Sequence, residues 1–75
     1  MTREQELAAT QLLRAFRKCQ KAGLNGGVFD GSVCLWPKEH HEEIMEAGPD
    51  FFHKVDEHGQ SFVINGMVLD GGAGT

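Results

Sequence analysis

The stretch that most constrains this chain is residues 26–37, GGVFDGSVCLWP, in which two apolar runs flank a tight turn. Asp30-Gly31 at its centre predicts a two-residue type I′ turn, since both central positions need a positive φ. Gly adopts that conformation freely and Asp tolerates it. Pro37 ends the second run because it has no N–H to donate to a strand partner. The sequence therefore predicts a β-hairpin over residues 27–36.

The turn also fixes which hairpin side chains share a face, since directly paired residues point to the same side of a sheet. One face is aliphatic, and we expect it to face the core: Val28, Val33 and Leu35. The other face mixes aromatic, hydroxyl and thiol groups: Phe29, Ser32, Cys34 and Trp36. The aromatic pair has two interpretations. It is either a second packing layer under a loop or helix, or an exposed contact surface, because Trp is favoured at interface hot spots.

Residues 2–22 predict one long amphipathic helix. Thr2 and Gln5 have the spacing of a capping box at its start, and Gly23 is placed as the left-handed residue that follows its end. The apolar stripe recurs at three- and four-residue spacing: Ala9, Leu12, Leu13, Phe16 and Cys19. A basic stripe runs beside it: Arg14, Arg17, Lys18 and Lys21.

Residues 37–58 predict two short helices, separated at Gly48-Pro49. The first carries glutamates at i, i+3, i+4 and i+7, which places all of them on one narrow face: Glu39, Glu42, Glu43 and Glu46. Like charges four residues apart repel by a few tenths of a kcal/mol per pair. The stripe is either a solvated face that keeps a small protein soluble, or a surface that recognises Arg and Lys on a partner.

Asn65-Gly66 predicts a second hairpin over residues 61–70, because this dipeptide is the strongest short signal for a type I′ turn. Both of its faces are apolar, so it needs cover on both sides. This is the best evidence in the sequence for dimerisation or partner binding. Residues 71–75, GGAGT, are expected to form a flexible tail.

Together these elements predict one small α+β domain over residues 1–75, in the order α-β-β-α-α-β-β. We expect a four-stranded antiparallel sheet of two hairpins, packed on the long N-terminal helix. A domain of this size has a marginal core, so a dimer contact, a partner or a metal could add stability.

The net charge of −4 is unevenly distributed. Residues 1–22 hold five basic and two acidic side chains (+3), and residues 23–75 hold two basic and nine acidic ones (−7). An acidic body favours a basic protein surface over nucleic acid as partner. The sequence has no apolar run near 18 residues, so we expect no membrane span. A charged N-terminus does not resemble a secretory signal, and we expect a cytoplasmic protein with two reduced cysteines.

Four histidines and two cysteines raise the question of zinc. His53 and His58 have the spacing of half a structural zinc site, but no cysteine pair supplies the other half. The candidates would be Cys19, Cys34, His40, His41, His53 and His58. We therefore expect no metal and no cofactor, and keep a zinc-stabilised mini-domain as an alternative.

No pattern in the sequence indicates catalysis, so we expect no enzyme and no catalytic residue. The preferred hypothesis is a non-enzymatic, small acidic protein-binding module that acts as a regulator, inhibitor or accessory subunit of a larger assembly. The expected partner has a basic surface, and a homodimer is a further option. The predicted binding residues are four glutamates with two aromatic anchors: Glu39, Glu42, Glu43, Glu46, Trp36 and Phe29. Nucleic-acid binding through the basic stripe is a less favoured alternative.

Overall fold

The computed structural model describes residues 1–70, so the predicted tail over residues 71–75 lies outside the described part. The elements are three helices and three strands: α1 (Arg3–Lys21), β1 (Leu24–Phe29), β2 (Ser32–Pro37), α2 (His41–Met45), α3 (Phe51–His58) and β3 (Gln60–Val63). Short 3-10 turns precede α2 and α3, at Lys38–His40 and Gly48–Asp50. The general α+β class is as predicted.

The predicted start and end of α1 are confirmed. The Thr2 hydroxyl accepts a hydrogen bond from the backbone N–H of Gln5 at 3.1 Å. The Gln5 side chain accepts from the backbone N–H of Thr2 at 2.8 Å, which completes the capping box. Gly23 follows the helix with a φ of +83°, in the left-handed region that favours glycine. Local sequence signals therefore set both ends of this helix.

The first hairpin also forms in the predicted register. Phe29 pairs with Ser32 and Val28 pairs with Val33. Asp30 and Gly31 have φ values of +51° and +78°, as a type I′ turn requires.

The prediction of a four-stranded sheet is wrong, because the sheet has three strands in the order β1-β2-β3. β3 pairs with the free edge of β2, and Phe62 lies opposite Val33. Asn65-Gly66 does turn the chain, with a φ of +83° at Gly66, but residues 64–70 form no strand. Ile64, Met67 and Leu69 instead line the aliphatic side of the sheet. There they gain apolar contacts without a fourth ladder of hydrogen bonds.

The core lies on the face of the sheet opposite to the predicted one. The fully buried side chains come from β2, α2 and α3: Cys34, Trp36, Ile44 and Val55. Phe29 and Phe51 pack against this cluster. The chain after Pro37 turns onto the aromatic face, where the indole N–H of Trp36 donates to Nδ1 of His41 at 3.1 Å. The expectation that the aliphatic face forms the core is therefore wrong, since the two short helices cover the other face.

Helix α1 is attached to the sheet mainly through β1, and none of its side chains is fully buried. The sheet was predicted to pack on this helix, and only the second half of α1 lines the sheet surface. Within residues 1–70, no helix has the length and apolar character needed to cross a bilayer.

Candidate functional site: an apolar groove between helix and sheet

A wide apolar groove lies between α1 and the aliphatic face of the sheet, with a volume of about 690 Å³. We call it the sheet–helix groove. The floor is the aliphatic hairpin face: Val28, Val33 and Leu35. Gly26 and Gly27 add no side chains there, which leaves the groove open beside β1.

The first wall of the groove is the apolar stripe of α1. Leu12, Phe16 and Cys19 recur at i, i+4 and i+7, so all three point to one side of the helix. Leu12 is nevertheless 55% exposed and Phe16 is 51% exposed. The basic stripe of α1 lies on exposed positions outside this lining. The helix therefore presents an apolar wall that nothing within residues 1–70 covers fully.

The opposite wall comes from β3 and the segment that follows it. Its lining side chains are Phe62, Ile64, Met67 and Leu69. Phe62, Ile64 and Met67 are all exposed. These residues were predicted to form one face of the second hairpin. They still share one surface, although the hairpin does not form.

The molecule exposes more surface than a folded monomer of its mass. Its accessible area is 5854 Å², whereas a compact monomer of 8.2 kDa exposes about 4500 Å². Residues 71–75 could contribute at most about 500 Å² if they were fully exposed. The whole chain therefore exposes roughly 800 Å² more than a compact monomer would, and five of the large apolar side chains that contribute to this exposure line the groove: Leu12, Phe16, Phe62, Ile64 and Met67.

The predicted acidic stripe is exposed but is not one regular helical face. His40 has φ −102° and ψ +7°, and this break separates the 3-10 turn that carries Glu39 from α2. Glu42 and Glu43 lie in α2 and Glu46 caps its C-terminus. The predicted continuous helix is therefore shorter, and Glu39 lies in the 3-10 turn that precedes α2.

Glu43 differs from the other three because it faces α3. Its carboxylate contacts Nε2 of His58 at 2.9 Å and Nζ of Lys54 at 3.2 Å. The His58 hydrogen bond, followed by the Lys54 contact, lowers the pKa of Glu43 to about 2. The same contact raises the pKa of Lys54. The Glu43 side chain is 43% exposed, so water screens these pairs and they tie α2 to α3 only weakly.

The two predicted aromatic anchors belong to the core rather than to an open surface. Trp36 is only 1% exposed, and it meets the edge of Phe51 with ring centroids 5.9 Å apart. Phe29 is half-buried, with its centroid 4.6 Å from that of Phe51. The packing-layer interpretation therefore describes these side chains, and Trp36 offers no surface to a partner.

The cysteines and histidines considered for zinc do not converge as one set. Cys34 is buried, and burial followed by the nearby Asp56 carboxylate raises the pKa of its thiol. Cys19 lines the groove, and both thiols are free. Among residues 1–70, the side chains placed to share a metal ion are His40, Glu43 and His58.

Sequence reasoning missed the sheet–helix groove, although each of its parts was noticed separately. The apolar stripe of α1 was expected to pack on the sheet, the aliphatic hairpin face was assigned to the core, and the apolar residues after Gln60 were left in need of cover. Three apolar surfaces in so small a chain indicate a shared groove. Comparison with protein-family models, curated proteins and solved structures gives no match for this chain.

Proposed function

We propose that this chain is a non-enzymatic, cytoplasmic protein-binding module that works as a homodimer. The second copy occupies the sheet–helix groove, and the acidic side of each copy stays open to a partner with a basic surface. The observation that carries the proposal is the groove, which is apolar, about 690 Å³ in volume and open to solvent. The free thiols at Cys19 and Cys34 fit a reducing compartment.

The exposed apolar side chains of the groove support a contact between two copies, since Leu12, Phe16, Phe62, Ile64 and Met67 line it and are all exposed. Covering them would remove apolar surface from water. Burial of that surface would also supplement a small core, because only four apolar side chains within residues 1–70 are fully buried.

A second copy is the occupant whose chemistry is present in the molecule itself. The groove needs an apolar ridge, and α1 carries one that is half-exposed at Leu12 and Phe16. In a two-fold symmetric contact, the same patch serves on both subunits. Each copy would then insert its α1 stripe against the other copy's sheet, so that one contact covers both exposed surfaces.

The acidic charge lies apart from the groove. Residues 1–22 carry +3 and residues 23–75 carry −7, but no acidic side chain of residues 1–70 lines the groove. The acidic residues of α2 lie on the other side of the sheet from the groove, because α2 packs on Trp36 while the groove uses Leu35. A dimer through the groove therefore leaves Glu42 and Glu46 accessible.

The test is the oligomeric state of the full chain and of matched α1 variants. Native mass spectrometry and sedimentation should give twice the chain mass of 8.2 kDa for the wild type. Phe16→Glu should give a monomer, because it places a carboxylate in the apolar contact. Thr10→Glu adds the same charge at an exposed position of α1 outside the groove and should remain dimeric.

The wild-type melting temperature should also rise with protein concentration, since association stabilises the folded chain by mass action. Circular dichroism should show that Phe16→Glu keeps its helices. A monomeric wild type at about 100 μM, far above the micromolar Kd of weak specific complexes, would overturn the dimer. A Phe16→Glu variant that still dimerises would place the contact elsewhere.

A further inference from the structure

We propose that His40, Glu43 and His58 form a binding site for a divalent transition-metal ion of the zinc class, which connects α2 to α3. The site is separate from the sheet–helix groove and does not depend on the dimer. Two imidazoles and one carboxylate are ligands that zinc accepts, with an open position left for water.

The ligand atoms already lie close together. Oε1 of Glu43 is 3.6 Å from Nδ1 of His40, and Oε2 is 2.9 Å from Nε2 of His58. One ligand atom from each residue lies within 4.8 Å of the other two. Ligands about 2.1 Å from a tetrahedral zinc are separated by roughly 3.4 Å. The observed distances of 2.9 Å and 3.6 Å lie on either side of that separation. Modest side-chain rotation therefore brings the three groups onto one ion.

The two imidazole rings are stacked, with centroids 3.8 Å apart and planes at 12°. Neutral imidazole is the form that binds a metal ion. To bind, the rings must tilt until their lone pairs meet at the ion, and the ring torsion of histidine is broad enough to allow this. The side chains are partly exposed, so an ion can reach them from solvent.

Lys54 competes for the same carboxylate, since its Nζ lies 3.2 Å from Oε2 of Glu43. It has a second acceptor, because Oε2 of Glu57 is 3.5 Å away. An arriving ion would displace Lys54 toward Glu57 without leaving the ammonium unpaired. Metal binding is therefore a replacement of one cation by another at Glu43.

The site differs from a cysteine-based zinc site. Cys34 is fully buried in the core cluster, together with Trp36, Ile44 and Val55. His53 is exposed on α3 and is not one of the three converging residues. His53 is thus a matched control, since it lies on the same helix as His58.

The experiment is calorimetric titration of the full chain with zinc chloride in a non-chelating buffer at neutral pH. Native mass spectrometry gives the stoichiometry. We expect one zinc ion per chain. The dissociation constant should be at least tenfold larger in His40→Ala and in His58→Ala than in the wild type. His53→Ala should bind like the wild type.

His40→Ala is the sharper of the two variants, because it leaves the Glu43 contacts with Lys54 and His58 in place. Circular dichroism should find its fold unchanged. A wild type that binds no zinc at millimolar concentration would overturn the proposal. So would zinc binding that survives in His40→Ala and His58→Ala, or that is lost in His53→Ala.

Discussion

Glu43 is the residue whose surroundings most change its chemistry. Its exposed neighbours Glu42 and Glu46 lie on the same short segment, but Glu43 alone of the three forms ion pairs with α3. The resulting pKa of about 2 lies below the ordinary value of 4.5. A group with a depressed folded-state pKa stabilises the fold above its unfolded pKa and loses that contribution as pH falls toward the folded one.

Glu43→Gln should therefore be less stable than the wild type at pH 7, and the two should converge between pH 4.5 and about 2. Urea denaturation at a series of pH values, with a chelator present, measures this difference. Since Glu43 is well exposed, the effect at pH 7 should be small and should shrink with added salt. Glu46→Gln is the control and should match the wild type throughout. A difference that stays constant with pH would mean that the Glu43 charge is not its origin.

Trp36 shows what a residue pattern can and cannot predict. The Asp30-Gly31 turn correctly placed Trp36 on the same face as Phe29 and Cys34. Both faces of the hairpin are apolar, so local periodicity could not tell which one the rest of the chain would cover. The chain after Pro37 covers the aromatic face, and the hydrogen bond from Trp36 to His41 holds α2 there.

At the scale of elements, the predictions that hold are those set within a few residues of chain. The capping box of α1, the first hairpin and the extent of α3 depend on neighbouring residues alone. The second hairpin did not form because β3 had two possible pairing partners. β3 could pair with residues 67–69 or with β2, and it pairs with β2. No residue near β3 indicates that β2 has a free edge, so the sequence could not predict the three-stranded order.

The join between α3 and β3 passes very close to the backbone of β2. Gly59 ends α3 beside β2, and a Cβ at this position would collide with the backbone oxygen of Leu35. Gly59→Ala should destabilise the fold by about 3 kcal/mol, since overpacking against backbone cannot be relieved by a side-chain rotation.

Urea denaturation followed by circular dichroism measures the Gly59→Ala effect. Gln60→Ala is the neighbouring control, because Gln60 is exposed on β3 and should change stability by less than about 0.5 kcal/mol. Equal stabilities for the two variants would show that β2 and β3 can separate at this point without cost.

At the scale of the whole molecule, the two sides of the sheet have different chemistry. One side is the apolar groove with α1, and the other carries α2, α3 and most of the acidic charge. This separation allows one surface to hold a second copy while the other contacts a different protein. Glu42 and Glu46 are the positions with which to test the acidic side, because Glu43 is engaged with α3.

Glu42→Lys combined with Glu46→Lys should weaken binding of a basic partner captured by the wild type, and the wild-type affinity should fall with salt. Glu4→Lys combined with Glu6→Lys makes the same change in net charge on α1 and is the control. Binding assays should be paired with circular dichroism to verify the folding of both variants. Equal binding by both variants would mean that the acidic side of α2 is not the contact.

The buried core has a consequence for how the chain acquires its structure. The four side chains that are fully buried within the described residues 1–70 all fall between residues 34 and 55, and contacts between near neighbours in sequence form quickly. Helix α1 contributes none of these side chains, so its packing depends on that stretch having folded. Hydrogen exchange should accordingly protect the amides of β2 and α3 more than those of α1. A local opening that releases α1 would thus expose its apolar stripe while the buried cluster stays intact.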